Sequence, residues 1–137
     1  MITGGMGFIG SHLSEELLIE KHNLVILTKS FFKKQNITNI SKKIKVEKID
    51  VTDFKKLGKS IQKNKPDVII HLAGQTSHLQ SFENPLKDID SNAKSTLFIL
   101  EEIRKKKLKC RFILGSTFVV IGRPQRLPVD ERTPCWP

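Results

Sequence analysis

Three glycines at a fixed spacing, Gly4-x-x-Gly7-x-x-Gly10, stand between a short apolar start (Met1-Ile2-Thr3) and an amphipathic stretch. A strand that turns directly into a helix needs a positive φ, which glycine supplies without steric cost. Glycines without side chains also let a pyrophosphate approach the main chain, and a helix start offers unpaired N–H groups with a partial positive charge. The pattern alone is weak evidence. Its position between strand and helix strengthens it. A second group of interest follows the next apolar run: Thr28, Lys29 and Ser30, with Lys33 and Lys34 near and no acidic residue until Glu47. In dinucleotide-binding α/β proteins, an acid about 20 residues past the glycines accepts from the ribose hydroxyls. Ammonium and hydroxyl groups there suit a 2′-phosphate instead, so the residues lean toward NADP over NAD. His71 falls inside an apolar run and reads as a packed core residue, and His12 and His22 as surface residues of the first helix. His78 is the histidine on the expected substrate side. No histidines and cysteines are spaced as metal ligands, so no metal site is expected.

These groups require a particular scaffold. Ile9, Leu13 and Leu17 recur every four residues from Phe8 to Lys21, opposite Glu15, Glu16 and Glu20, which predicts a helix. Leu24–Thr28 reads as a strand buried on both faces, Lys29–Lys43 as loop with room for a turn of helix, and Ile44–Ile49 as a weaker strand. Asp53 caps a predicted helix to Asn64 with Phe54, Leu57 and Ile61 on one face. Asp67–Leu72 is a further buried strand, followed by a loop over Ala73–Glu83. Asn84 then caps, and Pro85 opens, a long helix to Lys107 whose apolar face reads Leu86, Ile89, Ala93, Leu97, Leu100 and Ile103. Arg111–Leu114 is the last clear strand, and prolines forbid regular structure beyond Gly122. Alternating strands and helices imply an α/β fold: a Rossmann-type doubly wound parallel sheet of about five strands, order 3-2-1-4-5, incomplete at its C-terminal side. Residues 1–137 form one domain, with a ligand crevice at the carboxyl ends of the strands.

Composition fits this. The chain has 137 residues, 38% hydrophobic and 28% charged, with a formal net charge of +10. Its lysines are dispersed and not interleaved with aromatics, so a solvated surface is favoured over nucleic-acid binding. No apolar run approaches a membrane span. Cys110 and Cys135 do not make a disulfide framework, which points to a reducing cytoplasm.

Five segments follow one another along the chain: TGGMGFIGSHL, IDVTD, DVIIHLAGQ, the Asn92-x-x-Ser95-Thr96-Leu97 stretch, and FILGSTFVVIG followed by Val129-Asp130-Glu131. In this order they resemble the extended short-chain dehydrogenases/reductases, which include NAD(P)-dependent nucleotide-sugar epimerases and dehydratases. The resemblance covers essentially the whole chain. It implies that Gly4, Gly7, Phe8, Ile9 and Gly10 cradle the cofactor pyrophosphate and that Asp50 and Val51 border the adenine. Leu72, Ala73 and Gly74 would pass under the nicotinamide ribose, while Asp53 reads as a helix cap alone.

The resemblance also implies a catalytic hydroxyl at Thr117, with Ser116 beside it; His78, in the loop beyond Gly74, is the histidine placed to touch substrate. Oxidation of a sugar carbon by the cofactor would permit inversion or elimination before hydride returns. The usual proton acceptor is a tyrosine four residues before a lysine, and this chain contains no tyrosine. The expectation is therefore a fragment: the cofactor-binding part of such an enzyme, without its substrate-binding half and inactive by itself. The alternative is a non-catalytic dinucleotide-binding or sensor module. A nucleotide-sugar is the implied substrate of the full enzyme, and a homodimer through the helix 85–107 its implied assembly.

Overall fold

Ile26 and Leu27 are neighbours in one strand, both essentially inaccessible, and they face opposite ways. Ile26 packs with Met6, Ile37, Ile40 and the half-buried Leu18 on one side of a sheet. Leu27 packs with Leu57, Ile61, Ile69 and Ile99 on the other. The period of two in a strand produces this alternation, so the apolar run Leu24–Leu27 serves two layers at once. Burying each such side chain contributes about 1.5–3 kcal/mol.

The computed structural model describes all residues, 1–137. In chain order they form β1 (Ile2–Thr3), α1 (Phe8–Ile19), β2 (Val25–Thr28), a 3-10 turn (Lys34–Ile37), β3 (Lys45–Lys48), α2 (Phe54–Asn64) and β4 (Val68–His71). There follow α3 (His78–Glu83), α4 (Pro85–Ile89), a π turn (Asp90–Lys94), α5 (Ser95–Lys105), β5 (Arg111–Leu114) and a 3-10 turn (Phe118–Ile121). All strand pairs are parallel, in the order β3-β2-β1-β4-β5. That is the expected α/β doubly wound sheet, open at both edges. Ile2 in the central strand lies opposite Ile26 on one side and Ile70 on the other. Exposed Lys45 and Lys48 guard the β3 edge against strand addition. The β5 edge differs, with Ile113 45% and Leu114 50% exposed.

Several local expectations are met. Asp53 accepts from Lys56 N at 3.1 Å and caps α2, and Asn84 accepts from Lys87 N at 3.1 Å ahead of Pro85. Phe54 and Phe98 stack at 4.9 Å between α2 and α5.

Others are corrected. The loop expected over Ala73–Glu83 contains α3, started by Ser77, whose hydroxyl accepts from Gln80 N. The single helix expected from Pro85 to Lys107 is interrupted by the π turn, which redirects Ser91 and Asn92. In α1 the buried face is Gly10, Ser11 and Ser14, and Ile9 is 66% exposed. Small residues let this helix sit close to the sheet, and the fourfold apolar repeat points only partly inward. Along α4, the π turn and α5 the residues Leu86, Ile89, Ala93, Leu97 and Leu100 are exposed, while Ser95 and Ile99 are buried.

Candidate functional site

The chain leaves β1 at Gly4, which has φ +68° and donates to Leu27 O at 2.9 Å. Gly7 N then donates to Gly4 O at 2.8 Å, closing the turn into α1. A Cβ on Gly4 would lie 2.9 Å from Ala73 N, so the turn is seated on the Leu72–Ala73 backbone. One on Gly10 would lie 2.5 Å from Gly4 O, so this glycine lets the helix close onto the turn. Gly7 differs from both. Its φ of −68° suits any residue, and a Cβ there would meet only Gly4 O, at 3.1 Å, with open space beyond. The positive φ that the turn requires is therefore at Gly4, and Gly7 leaves room for a ligand.

That room lies at the N-terminus of α1. The first N–H bonded within the helix region is that of Ser11, to Gly7 O at 2.9 Å, which leaves the N–H groups of Phe8, Ile9 and Gly10 unpaired. No acidic side chain occupies this first turn. Phe8 and Ile9 offer the main chain, because their side chains are exposed. An anion is the natural complement.

A cleft of about 460 Å³ opens beside this turn. Its walls hold Gly4, Gly7, Thr28, Lys29, Ser30, Asp50, Val51, Leu72, Ala73 and Gly74. Three parallel strands converge there: β2 delivers Thr28, β3 leads to Asp50, and β4 leads to Leu72. Thr28 Oγ1 donates to Ser30 O at 2.8 Å and shapes the turn that carries Lys29. Asp50 Oδ1 accepts from Thr52 N at 3.0 Å and Thr52 Oγ1 at 2.9 Å, which leaves Oδ2 for another donor.

Lys33, noted beside Lys29 in the sequence, lines the β2 side with Phe32, but the sequence did not signal the other wall, formed by Gln75, Thr76, Gln80, Lys87 and Ser91. Asn92 organises it. Its Oδ1 accepts from Gln75 N at 2.7 Å and its Nδ2 donates to Gln75 O at 3.2 Å, as a neighbouring strand would. A Cβ on Gly74 would strike Asn92 Oδ1 at 2.7 Å, so Gly74 is what allows this hook.

Beneath the cleft, His71 is buried as expected. Its Nδ1 lies 2.6 Å from Thr3 Oγ1 and its Nε2 3.0 Å from Ser95 Oγ. Ser95 Oγ gives its hydrogen to Ser91 O at 2.6 Å, so Nε2 carries the imidazole proton and donates. Thr3 Oγ1 accepts from Ala73 N at 3.1 Å and gives its own hydrogen to Nδ1. Burial pushes the imidazole pKa down to about 4 and keeps the ring neutral.

Thr117, Ser116 and His78 lie outside the cleft. Thr117 Oγ1 accepts from Val119 N at 3.3 Å and caps the 3-10 turn that follows. Ser116 is exposed, and His78 is the first residue of α3. No group of three or more His, Cys, Asp or Glu is placed to hold a metal ion. No helix is long and apolar enough to cross a membrane.

A glycine turn on a helix N-terminus, beside a crevice at the ends of a 3-2-1-4-5 sheet, can be compared with known proteins. The sequence model of the GDP-mannose 4,6 dehydratase family matches residues 1–137. The chain belongs to this family. Similar proteins include a putative UDP-glucose 4-epimerase of Methanocaldococcus jannaschii, 36% identical over 100% of this chain and 44% of its own length. The Bifidobacterium longum UDP-glucose 4-epimerase, solved in complex with NAD+ and UDP, is 31% identical with a TM-score of 0.84. It covers 98% of this chain, which spans 42% of it. The Thermus thermophilus UDP-glucose 4-epimerase, solved with NAD, is 27% identical with a TM-score of 0.82, over 99% of this chain and 43% of its own. The chain thus spans about two-fifths of the length of these relatives. The extended short-chain dehydrogenase/reductase resemblance read from the motifs holds.

Proposed function

We propose that this chain is the dinucleotide-binding part of an NAD(P)-dependent nucleotide-sugar epimerase or dehydratase. The observation that carries the reading is Gly7: its absent side chain leaves open space on the cleft wall at the start of α1, next to three N–H groups that are unpaired. Gly4, Gly7, Phe8, Ile9 and Gly10 would hold the diphosphate. Asp50 Oδ2 would accept from the adenine amino group, with Val51 against the ring. Leu72, Ala73 and Gly74, fixed by Thr3 and Asn92, would support the nicotinamide ribose. When bound, the cofactor supplies hydride transfer, and this chain's residues orient it and exclude water from one face.

The end of β2 supports the 2′-phosphorylated cofactor, because Lys29, Ser30 and Lys33 line the cleft there without a carboxylate. The NAD complexes of the two solved relatives favour the unphosphorylated form for those proteins. In the whole enzyme, Thr117 would hold the sugar hydroxyl that loses its proton, with Ser116 and His78 as further substrate contacts and a nucleotide-sugar as substrate. The outward stripe from Leu86 to Leu100 supports a homodimer through α4 and α5.

The chain contains no tyrosine to act as the proton acceptor. Titration calorimetry with NAD and NADP, paired with an assay of UDP-glucose conversion, tests the reading. Saturable dinucleotide binding without turnover is expected. Failure to bind either cofactor, or conversion by the chain alone, would refute it.

A further inference from the structure

We propose that Lys87 grips the diphosphate of the bound dinucleotide from the β4 side of the cleft; this rests on the dinucleotide reading above. Lys87 is exposed on α4, and it lines the same cleft as Gly7 and Lys29. The carboxylates nearest to it in sequence are engaged elsewhere. Asp88 Oδ1 accepts from Ser81 Oγ at 2.7 Å and from Asn92 Nδ2 at 3.3 Å, and Asp90 pairs with Lys94 at 2.6 Å. Lys87 forms no ion pair, and neither do Lys29 and Lys33. The only carboxylate on the cleft wall, Asp50, has one oxygen tied to Thr52. The cleft thus presents free ammonium groups on two flanks, Lys29 and Lys33 after β2 and Lys87 after β4, with the glycine turn after β1 between them. Two separated cationic flanks fit a ligand with two anionic positions. A charge at the ribose end answers the first flank, and the diphosphate over the glycine turn answers the second. An ammonium on a flexible stem suits a phosphate as a point charge without demanding one geometry.

The same chemistry could come from the diphosphate of a nucleotide-sugar, so the test separates the two. Wild type, Lys87→Ala and Lys87→Arg, each checked by circular dichroism, are titrated with ADP-ribose, adenosine and UDP-glucose. For Lys87→Ala, affinity for ADP-ribose should fall about tenfold, as for loss of one charge-assisted hydrogen bond. Adenosine binding should not change, Lys87→Arg should recover most of the loss, and added salt should narrow the gap between wild type and Lys87→Ala. Unchanged ADP-ribose affinity, an equal loss for adenosine, or a loss confined to UDP-glucose would each overturn the assignment. If wild type binds neither ADP-ribose nor adenosine, the dinucleotide reading itself fails. If wild type and Lys87→Ala bind ADP-ribose equally, only the role of Lys87 fails.

Discussion

Thr3 Oγ1 lies 2.6 Å from His71 Nδ1, a buried contact that ties the carboxyl ends of the adjacent strands β1 and β4 together. Because Thr3 also accepts from Ala73 N and Ser95 passes the line on to Ser91, the hydrogen bonds run under the cleft from one wall to the other. The line works with a neutral ring: a proton on Nδ1 would deprive the Thr3 hydroxyl of its acceptor. The folded pKa of about 4 lies below the ordinary histidine value of 6.5, so the unfolded chain binds the proton first as pH falls. Stability from this group is therefore complete above about pH 6.5 and is lost progressively toward pH 4, by about 3 kcal/mol in all. Thermal melts across that range should show the loss in wild type. In His71→Gln, less stable at pH 7, the dependence should be shallower; parallel pH profiles would mean that other groups govern the acid limb.

Gly7 and Gly10 should fail differently when given side chains. Gly7→Val keeps an ordinary φ and meets little but Gly4 O, so its melting temperature should stay within a few degrees of wild type. Its branched side chain would fill the space for the diphosphate, and dinucleotide affinity should fall by at least about tenfold. Gly10→Ala places a methyl 2.5 Å from Gly4 O and 2.6 Å from Gly5 Cα, both backbone atoms. It should lower stability by about 1–3 kcal/mol, in the range of overpacking. Melting curves and calorimetry on the two variants separate a ligand cradle from a structural turn. Loss of the fold in Gly7→Val would assign that glycine to structure.

The sheet was legible because buried parallel strands leave continuous apolar runs and because the glycine spacing marks where β1 meets α1. The packing faces of the helices were less so. Hydropathy ranks Ser11 and Ser14 as outward residues, yet close approach to the sheet selects them for size, and Ser14 satisfies its hydroxyl on Gly10 O at 2.6 Å. The wall of Gln75, Gln80, Lys87 and Ser91 had no readable pattern. Polar residues in short elements carry no period, and their meeting depends on a π turn and on the Asn92 hook, which are tertiary arrangements. Lys29 was singled out because it directly follows a strand whose end could be located, and Asp50 through the family resemblance of the IDVTD segment; both line the cleft.

The outward stripe on α4 and α5 makes its own prediction. Leu86 is 72% exposed and Leu97 61% exposed, and Ile89 and Leu100 on the same two helices are exposed as well. Clusters of exposed large apolar side chains are where an interaction site is to be sought. Sedimentation velocity at tens of micromolar should show a dimer in wild type, and Leu97→Asp should shift it to monomer with little change in secondary structure. A monomeric wild type, or a variant that still dimerises, would move the interface elsewhere, the open β5 edge being the next surface to examine.

The turn after β2 makes a prediction about cofactor choice. Thr28 Oγ1 bonds to Ser30 O and fixes that turn, leaving the Ser30 hydroxyl and the Lys29 and Lys33 ammonium groups on the cleft wall. A 2′-phosphate carries nearly two negative charges at neutral pH, and a carboxylate in this position would repel it, whereas two lysines attract it. Free ribose hydroxyls gain less from the same groups, because an ammonium donates hydrogen bonds and accepts none. Wild type should therefore bind NADP several-fold more tightly than NAD. Lys29→Glu should reverse the order by placing an acceptor where the ribose hydroxyls lie, and Lys33→Ala should weaken NADP alone. Because the interaction is ionic and partly exposed, raising the salt concentration should narrow the difference in wild type. Wild type binding NAD at least as tightly as NADP would assign the two lysines to the solvated surface and leave Asp50 and the glycine turn as the cofactor's determinants.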